Sequence, residues 1–275
     1  MAIAATFSSV KIMKASFFQQ IISSYRTVSV IGLLLSLGLN NCSSASQAMG
    51  GNSQSVEPQL EAKILQVIRN NPEVIFKSVA AYRQKAYEQQ QYAQKSFLEK
   101  MQTNPNSVIG ESPITGASEK KVLLIEFSDF QCPSCGKAHQ TIKQFMAKHQ
   151  DKVTLVHKNL PLIEIHTEAL PAAKASWAAG KQGKFWEFRS ALFENQQQLG
   201  NEFYIKTAKS LNLDINQFNR DRKSNAANIA IQKDIKLADK LGLDATPMLA
   251  INGKLVPGAV QLSELEALLS QMSNR

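Results

Sequence analysis

The sequence has few cysteines for a chain of its length. It contains three in 275 residues, and only Cys132 and Cys135 lie close together. A structural zinc site needs four ligands, and the sequence has no second Cys pair. Haem attachment requires a His directly after the second Cys, and Gly136 stands there. Redox exchange is therefore the main interpretation of the pair, and a metal site that adds His139 is an alternative.

Stretches of basic residues interleaved with aromatic side chains are absent as well. The net charge is +9, but Lys11, Lys14 and Arg26 supply three of the positive charges before Cys42. The remaining excess is small and dispersed, which is typical of a mildly basic surface. We therefore expect no nucleic-acid partner.

The N-terminal segment contains no acidic residue before Cys42 and no apolar run long enough for an ordinary membrane span. Its apolar core, Thr27 to Leu39, has 13 residues, whereas a spanning helix needs about 20. A basic lead followed by a short apolar core predicts a signal peptide over residues 1–41, with an uncleaved membrane anchor as the alternative. The protein is then exported, either to the periplasm or to the outer face of the cytoplasmic membrane.

Two processing sites compete in this segment. Leu39 to Cys42 resembles a lipoprotein box, which predicts lipidation of Cys42, although Asn41 stands where a small residue is expected. Ser46 to Ala48 offers an ordinary signal-peptidase site. Both outcomes leave Cys132 and Cys135 as the only free thiols of the mature chain.

The region between the leader and the cysteine pair divides into a tether and a helical extension. Residues 42–56 are rich in Ser, Gly, Gln and Asn, which predicts a flexible tether. Residues 57–104 carry apolar residues at helical spacing, interrupted at Asn70 to Pro72. The predicted helices either pack on the following domain as a hairpin or join copies of the chain into a homo-oligomer.

The cysteine pair lies between a predicted strand and a predicted helix. Residues Val122 to Phe127 form a continuous apolar run typical of a buried strand. Pro133 suits the first turn of a helix, and apolar residues continue on one stripe from Ala138 to Met146. Cys132 would then lie at a helix N-terminus, which favours its thiolate. Cys135 lies one turn further on and should be less exposed.

This arrangement resembles the thioredoxin fold, and its details are similar to the DsbA-like branch of thiol–disulfide oxidoreductases. The resemblance covers about 60% of the chain and rests on the final helix and three stretches: E-F-S-D-F-Q-C-P-S-C at 126–135, G-K-F-W-E-F-R-S-A-L-F at 183–193 and A-T-P-M-L-A-I-N-G at 245–253. It implies an α/β thioredoxin domain over residues 105–275, with a helical insertion at about 166–241.

The resemblance also implies roles for individual residues. Cys132 would be the exchange nucleophile and leaving group, and Cys135 the resolving thiol. Pro247 would follow a cis peptide bond, pack against the pair and leave the Thr246 backbone free for substrate. Glu126 would be a buried acid that handles protons for Cys135, with a pKa raised by its apolar surroundings. An outward-facing Glu126 is the alternative, since it shares strand parity with Val122 and Leu124.

Pro133 and Ser134, the residues between the cysteines, are expected to set the reduction potential. Strongly oxidising DsbA-like proteins carry a His there, and Ser134 brings a hydroxyl without a positive charge. We predict a potential between about −120 and about −200 mV. His139 and His166 are expected at the surface or at helix ends rather than in catalysis.

Together these features predict an exported disulfide oxidase that needs no cofactor. Its partners would be substrate proteins with free thiols or disulfides and a quinone-linked membrane protein that reoxidises it. A disulfide isomerase or reductase, oligomerised through the N-terminal helices, is the main alternative. A metal-binding or adaptor protein that uses the Cys pair is a further one.

Overall fold

The structure is a computed structural model that describes residues 57–251 and 253–273. The predicted signal peptide or anchor, the tether and Cys42 lie outside the described residues. Among the helices that are described, none combines the length and the apolar character needed to cross a membrane.

The described residues contain a five-stranded mixed sheet. Its strands are β1 (Ile114–Gly116), β2 (Val122–Ser128), β3 (Val153–Asn159), β4 (Met248–Ile251) and β5 (Lys254–Pro257), in the order β1-β3-β2-β4-β5. Strands β2 and β3 are parallel, and the other neighbouring pairs are antiparallel. The cysteine pair follows β2, the central strand of the sheet.

Helices surround this sheet. They are α1 (Pro58–Asn70), α2 (Pro72–Thr103), α3 (Pro105–Ile109), α4 (Pro133–His149), α5 (Ala169–Gly180), α6 (Phe185–Glu194), α7 (Asn201–Ser210), α8 (Ile215–Lys223), α9 (Asn225–Lys240) and α10 (Leu262–Ser273). A short 3₁₀ helix, Gln196–Gln198, follows α6. Helices α5 to α9 form an insertion between β3 and β4, so the predicted fold class, a thioredoxin fold with a helical insertion and an N-terminal helical extension, is confirmed.

Alternate residues of β2 pack on opposite sides of the sheet, because successive side chains of a strand point to opposite faces. Leu124 belongs to a buried cluster that includes Ile142 of α4 and Leu265 of α10. Phe127 packs on the other face with Phe97 of α2 and Leu241, which follows α9. Both faces of β2 are therefore covered, which explains its nearly continuous apolar sequence.

The two N-terminal helices differ in how they contact the rest of the chain. The C-terminal part of α2 is packed, since Ala93, Phe97 and Met101 are buried and Gln94 Nε2 donates a hydrogen bond to the Leu241 carbonyl at 2.7 Å. Helix α1 has no buried residue, and Phe76 near the start of α2 is 76% exposed. The predicted break before Pro72 is confirmed, while packing of the hairpin is limited to the end of α2.

Candidate active site

The cysteine pair lies at the start of α4. Cys132 occupies the N-cap position and Pro133 is the first helical residue. The backbone N–H groups of Cys135 and Gly136 donate to the Cys132 carbonyl at 3.0 and 3.2 Å. Both cysteines are free thiols; Cys132 is 7% exposed and Cys135 is fully buried. The predicted helix N-terminus and the difference in exposure are both confirmed.

The pKa values of the two cysteine thiols are shifted in opposite directions. The pKa of Cys132 is lowered to about 5, chiefly because the Cys135 thiol donates a hydrogen bond to it, and burial only partly opposes this effect. The Thr246 hydroxyl and the backbone N–H groups of Cys135 and Ser134 lower it further. The pKa of Cys135 is raised, first by burial and then by its hydrogen bond to Cys132. At neutral pH the pair therefore holds a thiolate at Cys132 and a thiol at Cys135.

The loop before β4 approaches Cys132 from the opposite side. The Thr246–Pro247 peptide bond is cis, as the sequence predicted. The Cys132 thiol donates to the Thr246 carbonyl, with 3.5 Å between Sγ and O. The buried Thr246 hydroxyl has no other partner among the described residues, so it is free to donate to Cys132 once that sulfur is ionised.

Asp129 shapes the turn between β2 and α4. Its Oδ1 accepts a hydrogen bond from the Gln131 N–H at 2.8 Å, and its Oδ2 accepts from the Leu162 N–H at 3.0 Å. His166 Nδ1 lies 2.7 Å from the same Oδ2. The carboxylate thus ties the active-site turn to the loop between β3 and α5, and His166 belongs to this support.

Glu126 is buried, but its surroundings are ionic rather than apolar. It lies in the central strand, and its Oε2 forms an ion pair with Arg189 of α6; His157 Nδ1 is 3.6 Å away. Burial alone would raise the pKa of Glu126, yet the Arg189 charge and the hydrogen bond with His157 outweigh burial and hold it below its usual range. The prediction of a raised pKa is therefore wrong, because it took no account of the Arg189 charge beside the carboxylate.

Arg189 connects three side chains beneath the active site. Besides Glu126, it reaches His157 Nδ1 from Nε at 3.3 Å and His139 Nδ1 from Nη1 at 2.9 Å. The expectation of a surface position for His139 is wrong. His139 is buried in α4, four residues after Cys135 and on the same stripe of the helix. Burial, and then the Arg189 charge, lower the pKa of His139 to about 4, so it is neutral at pH 7.

The sequence analysis missed three residues of this region: Arg189, Ser128 and Gln196, whose side-chain amide donates to the Phe130 and Cys132 carbonyls. Arg189 lies four residues from both Phe185 and Phe193, so its place on the apolar stripe of α6 was a usable signal. The buried Ser128 hydroxyl makes no hydrogen bond of ordinary length within the described part of the chain, but it lowers the pKa of both Glu126 and Cys135. Nothing in the sequence marks Ser128 or Gln196.

A dithiol at the N-terminus of a helix, after the central strand of a mixed sheet and opposite a cis-proline loop, defines a thioredoxin-fold dithiol protein. The sequence profile described as "Thioredoxin" matches residues 107–271. The chain belongs to the thioredoxin family.

Solved structures share this fold. A thioredoxin-like oxidoreductase from Silicibacter pomeroyi DSS-3 is 28% identical, with a TM-score of 0.55, 62% of this chain covered and 99% of that chain. The thiol–disulfide exchange protein alpha-DsbA2 from Wolbachia pipientis is 23% identical, with a TM-score of 0.58 over 65% and 97% of the two chains. Proteus mirabilis ScsC in a transitional conformation is 22% identical, with a TM-score of 0.56 over 78% and 94%. The last two show the fold alone.

The curated relatives are much longer proteins. A Na(+)/H(+) antiporter NhaA 3 from Salinispora tropica is 30% identical over 154 residues, which make up 56% of this chain and 24% of the antiporter. An NhaA 1 from Mycolicibacterium vanbaalenii is 34% identical over 142 residues, 51% of this chain and 23% of that protein. The chain thus spans about a quarter of the length of these relatives.

Proposed function

We propose that the chain is an exported thiol–disulfide oxidoreductase that acts as a disulfide oxidase toward secreted proteins. The observation that carries this proposal is the opposite acidity of the two cysteines, with the pKa of Cys132 lowered to about 5 and that of Cys135 raised. A thiol of low pKa is a good leaving group, which favours donation of its disulfide to a substrate.

The reaction would proceed in two exchanges. A substrate thiolate attacks Cys132 Sγ of the disulfide, the Cys132–Cys135 bond breaks, and Cys135 leaves with the electron pair and takes up a proton. A second substrate thiolate then attacks the substrate sulfur of the mixed disulfide and expels Cys132 as a thiolate. The substrate loses two electrons and gains a disulfide, and the Cys pair becomes a dithiol.

The supporting residues act on these steps. We assign Thr246 and Pro247 to the surface along which an extended substrate lies, since Thr246 touches the Cys132 sulfur. We assign Glu126 and Ser128 to the proton that Cys135 gains or loses, because the Ser128 hydroxyl affects the pKa of both Glu126 and Cys135. The ionised Glu126 would pass this proton on rather than store it at neutral pH.

Turnover as an oxidase requires an electron acceptor. We propose a quinone-linked membrane partner that restores the Cys132–Cys135 disulfide and receives its two electrons. Export places the enzyme beside this partner, through cleavage after the signal peptide, an uncleaved anchor or lipidation of Cys42.

A second candidate, a disulfide isomerase or reductase, is favoured by the exposed N-terminal helices. Helix α1 and the start of α2 expose large apolar side chains over about five helical turns, among them Leu60, Ile64, Val67, Ile75 and Phe76. Contiguous exposed apolar surface marks interaction sites. We propose a second copy of the chain as the occupant, because the apolar surface runs along helices that bury little against their own domain.

The redox state of Cys132 and Cys135 in the cell separates the two candidates. Cells are quenched in acid, free thiols are alkylated, and the exported protein is resolved by mass. A disulfide in most molecules supports the oxidase, and loss of that disulfide when quinone reduction is blocked would support the membrane partner. A dithiol in most molecules contradicts the oxidase and favours the isomerase or reductase.

A further inference from the structure

One side chain of the helical insertion reaches the main chain of the active-site turn. Gln196 Nε2 donates to the Phe130 carbonyl and to the Cys132 carbonyl, each at 2.8 Å. Phe130 and Cys132 flank Gln131, so the amide group spans the turn that carries the reactive sulfur. The Cys132 carbonyl also accepts the N–H groups of Cys135 and Gly136 in the first turn of α4, and Gln196 adds a third donor to it.

A glycine makes this contact possible. A Cβ atom on Gly136, in the first turn of α4, would overlap Gln196 Oε1 and approach Cδ to 3.0 Å. Gly136 has no positive φ that would require glycine, and Ala is ordinarily the better residue in a helix. The contact with Gln196 therefore accounts for glycine at position 136.

We propose that Gln196 is a positioning residue for the dithiol: it fixes the turn from Phe130 to Cys132 so that the Cys132 sulfur stays beside the Thr246 carbonyl and the start of α4. The helical insertion then acts on the reaction through one amide group. This inference rests on the proposed exchange activity of the Cys pair, but not on the direction of electron flow.

A double-substitution cycle tests the contact. Gln196→Ala removes both hydrogen bonds, and we expect its rate of exchange with glutathione disulfide to fall about two- to tenfold, the range set by one ordinary hydrogen bond. Gly136→Ala should cause a similar loss by displacing Gln196. The double variant should be no slower than either single variant, because neighbouring residues that share one contact are not additive. Multiplied losses in the double variant would overturn the proposal.

A charge comparison adds a readout that a purely structural role would not change. Gln196→Glu places a carboxylate against the Cys132 main chain, and a nearby like charge raises the pKa of a thiol. Gln197→Glu adds the same charge on the exposed neighbouring residue. Thiolate absorbance should give a higher pKa for Cys132 in Gln196→Glu than in Gln197→Glu, and a less oxidising potential.

These experiments distinguish failure of the role of Gln196 from failure of the proposed oxidoreductase function. Equal pKa values in the two Glu variants would overturn the role of Gln196 even if wild-type exchange is fast. Absence of exchange in the wild-type protein would contradict the oxidoreductase itself, while the pKa comparison would still report on Gln196. Thermal unfolding of each variant identifies any loss of activity that arises from unfolding.

Discussion

The guanidinium of Arg189 in α6 forms a buried ion pair with the carboxylate of Glu126 in β2. The pair joins the helical insertion to the central strand six residues before the reactive cysteine. The same guanidinium contacts His139 and His157, so one cation links both imidazoles to the Glu126 carboxylate.

Removing the cation should destabilise the fold strongly. Arg189→Met leaves Glu126 charged, buried and without its partner, and breaking a buried pair in this way typically costs about 3–5 kcal/mol. We expect a loss of that size in the free energy of unfolding, measured with urea.

The paired substitution is the control for this prediction. Glu126→Leu in the Arg189→Met background removes the unpaired charge, so it should recover much of the lost stability, since apolar replacements of buried ion pairs are often neutral. If Arg189→Met and the wild-type protein had the same urea midpoint of unfolding, the ion pair would not be needed for stability and the prediction would be wrong.

Features encoded by neighbouring residues could be predicted from the sequence, whereas contacts between distant residues could not. The strand, the dithiol and the helix start were predictable because each is encoded within a few neighbouring residues, and the cis Pro247 was predictable only from the family resemblance. The pKa of Glu126 was not predictable, because its cation lies 63 residues away. The burial of His139 had a local sign, because His139 lies four residues after Cys135 and three before Ile142 on the buried stripe of α4, but its contact with Arg189, 50 residues away, had none.

The two cysteines should give different phenotypes when replaced singly. Cys132→Ser removes the nucleophile and should abolish exchange. Cys135→Ser leaves Cys132 able to attack but removes the resolving thiol, so mixed disulfides with substrate proteins should accumulate. Non-reducing electrophoresis after acid quench detects these adducts, and full exchange activity in either variant would contradict the assigned roles.

Ionisation of Cys132 should be visible well below neutrality. Thiolate absorbance of the reduced protein should titrate with a midpoint near the pKa of about 5, set chiefly by the hydrogen bond from Cys135. The oxidised protein and Cys132→Ser provide the baseline and should lack this step. A midpoint near 9 in the reduced protein would contradict the thiolate.

The same shift predicts how stability depends on pH. The folded pKa of Cys132 lies below its ordinary value of 9.0, so the unfolded reduced chain holds one more proton between these values and stability rises with pH. The stabilisation present above the unfolded pKa is lost as pH falls through about 5. The free energy of unfolding of the reduced protein, relative to the oxidised protein, should therefore decrease from pH 8 to pH 5. If the difference between the two proteins were the same at both pH values, the lowered pKa of Cys132 would be contradicted.

The residue between the cysteines should set the reduction potential. Ser134 is exposed, and its replacement by His adds a side chain that can carry a positive charge near the Cys132 thiolate. Stabilising the thiolate stabilises the reduced form, so Ser134→His should be more oxidising than wild type, which we expect between about −120 and about −200 mV. Equilibration with glutathione measures both, and Ser134→Ala separates the charge from the loss of the hydroxyl.

The exposed apolar side chains of α1 and α2 should hold copies of the chain together. Burying a large apolar side chain contributes about 1.5–3 kcal/mol, so Ile64→Glu combined with Phe76→Glu should weaken association by at least about a hundredfold. Light scattering should then show a shift toward monomers. Gln66→Glu combined with Ser78→Glu adds the same charge to exposed polar positions of the same helices and should leave the assembly intact. A wild-type monomer at all concentrations would remove the basis for the isomerase or reductase alternative, whereas equal dissociation by both pairs of substitutions would indicate that charge, rather than the apolar surface, controls assembly.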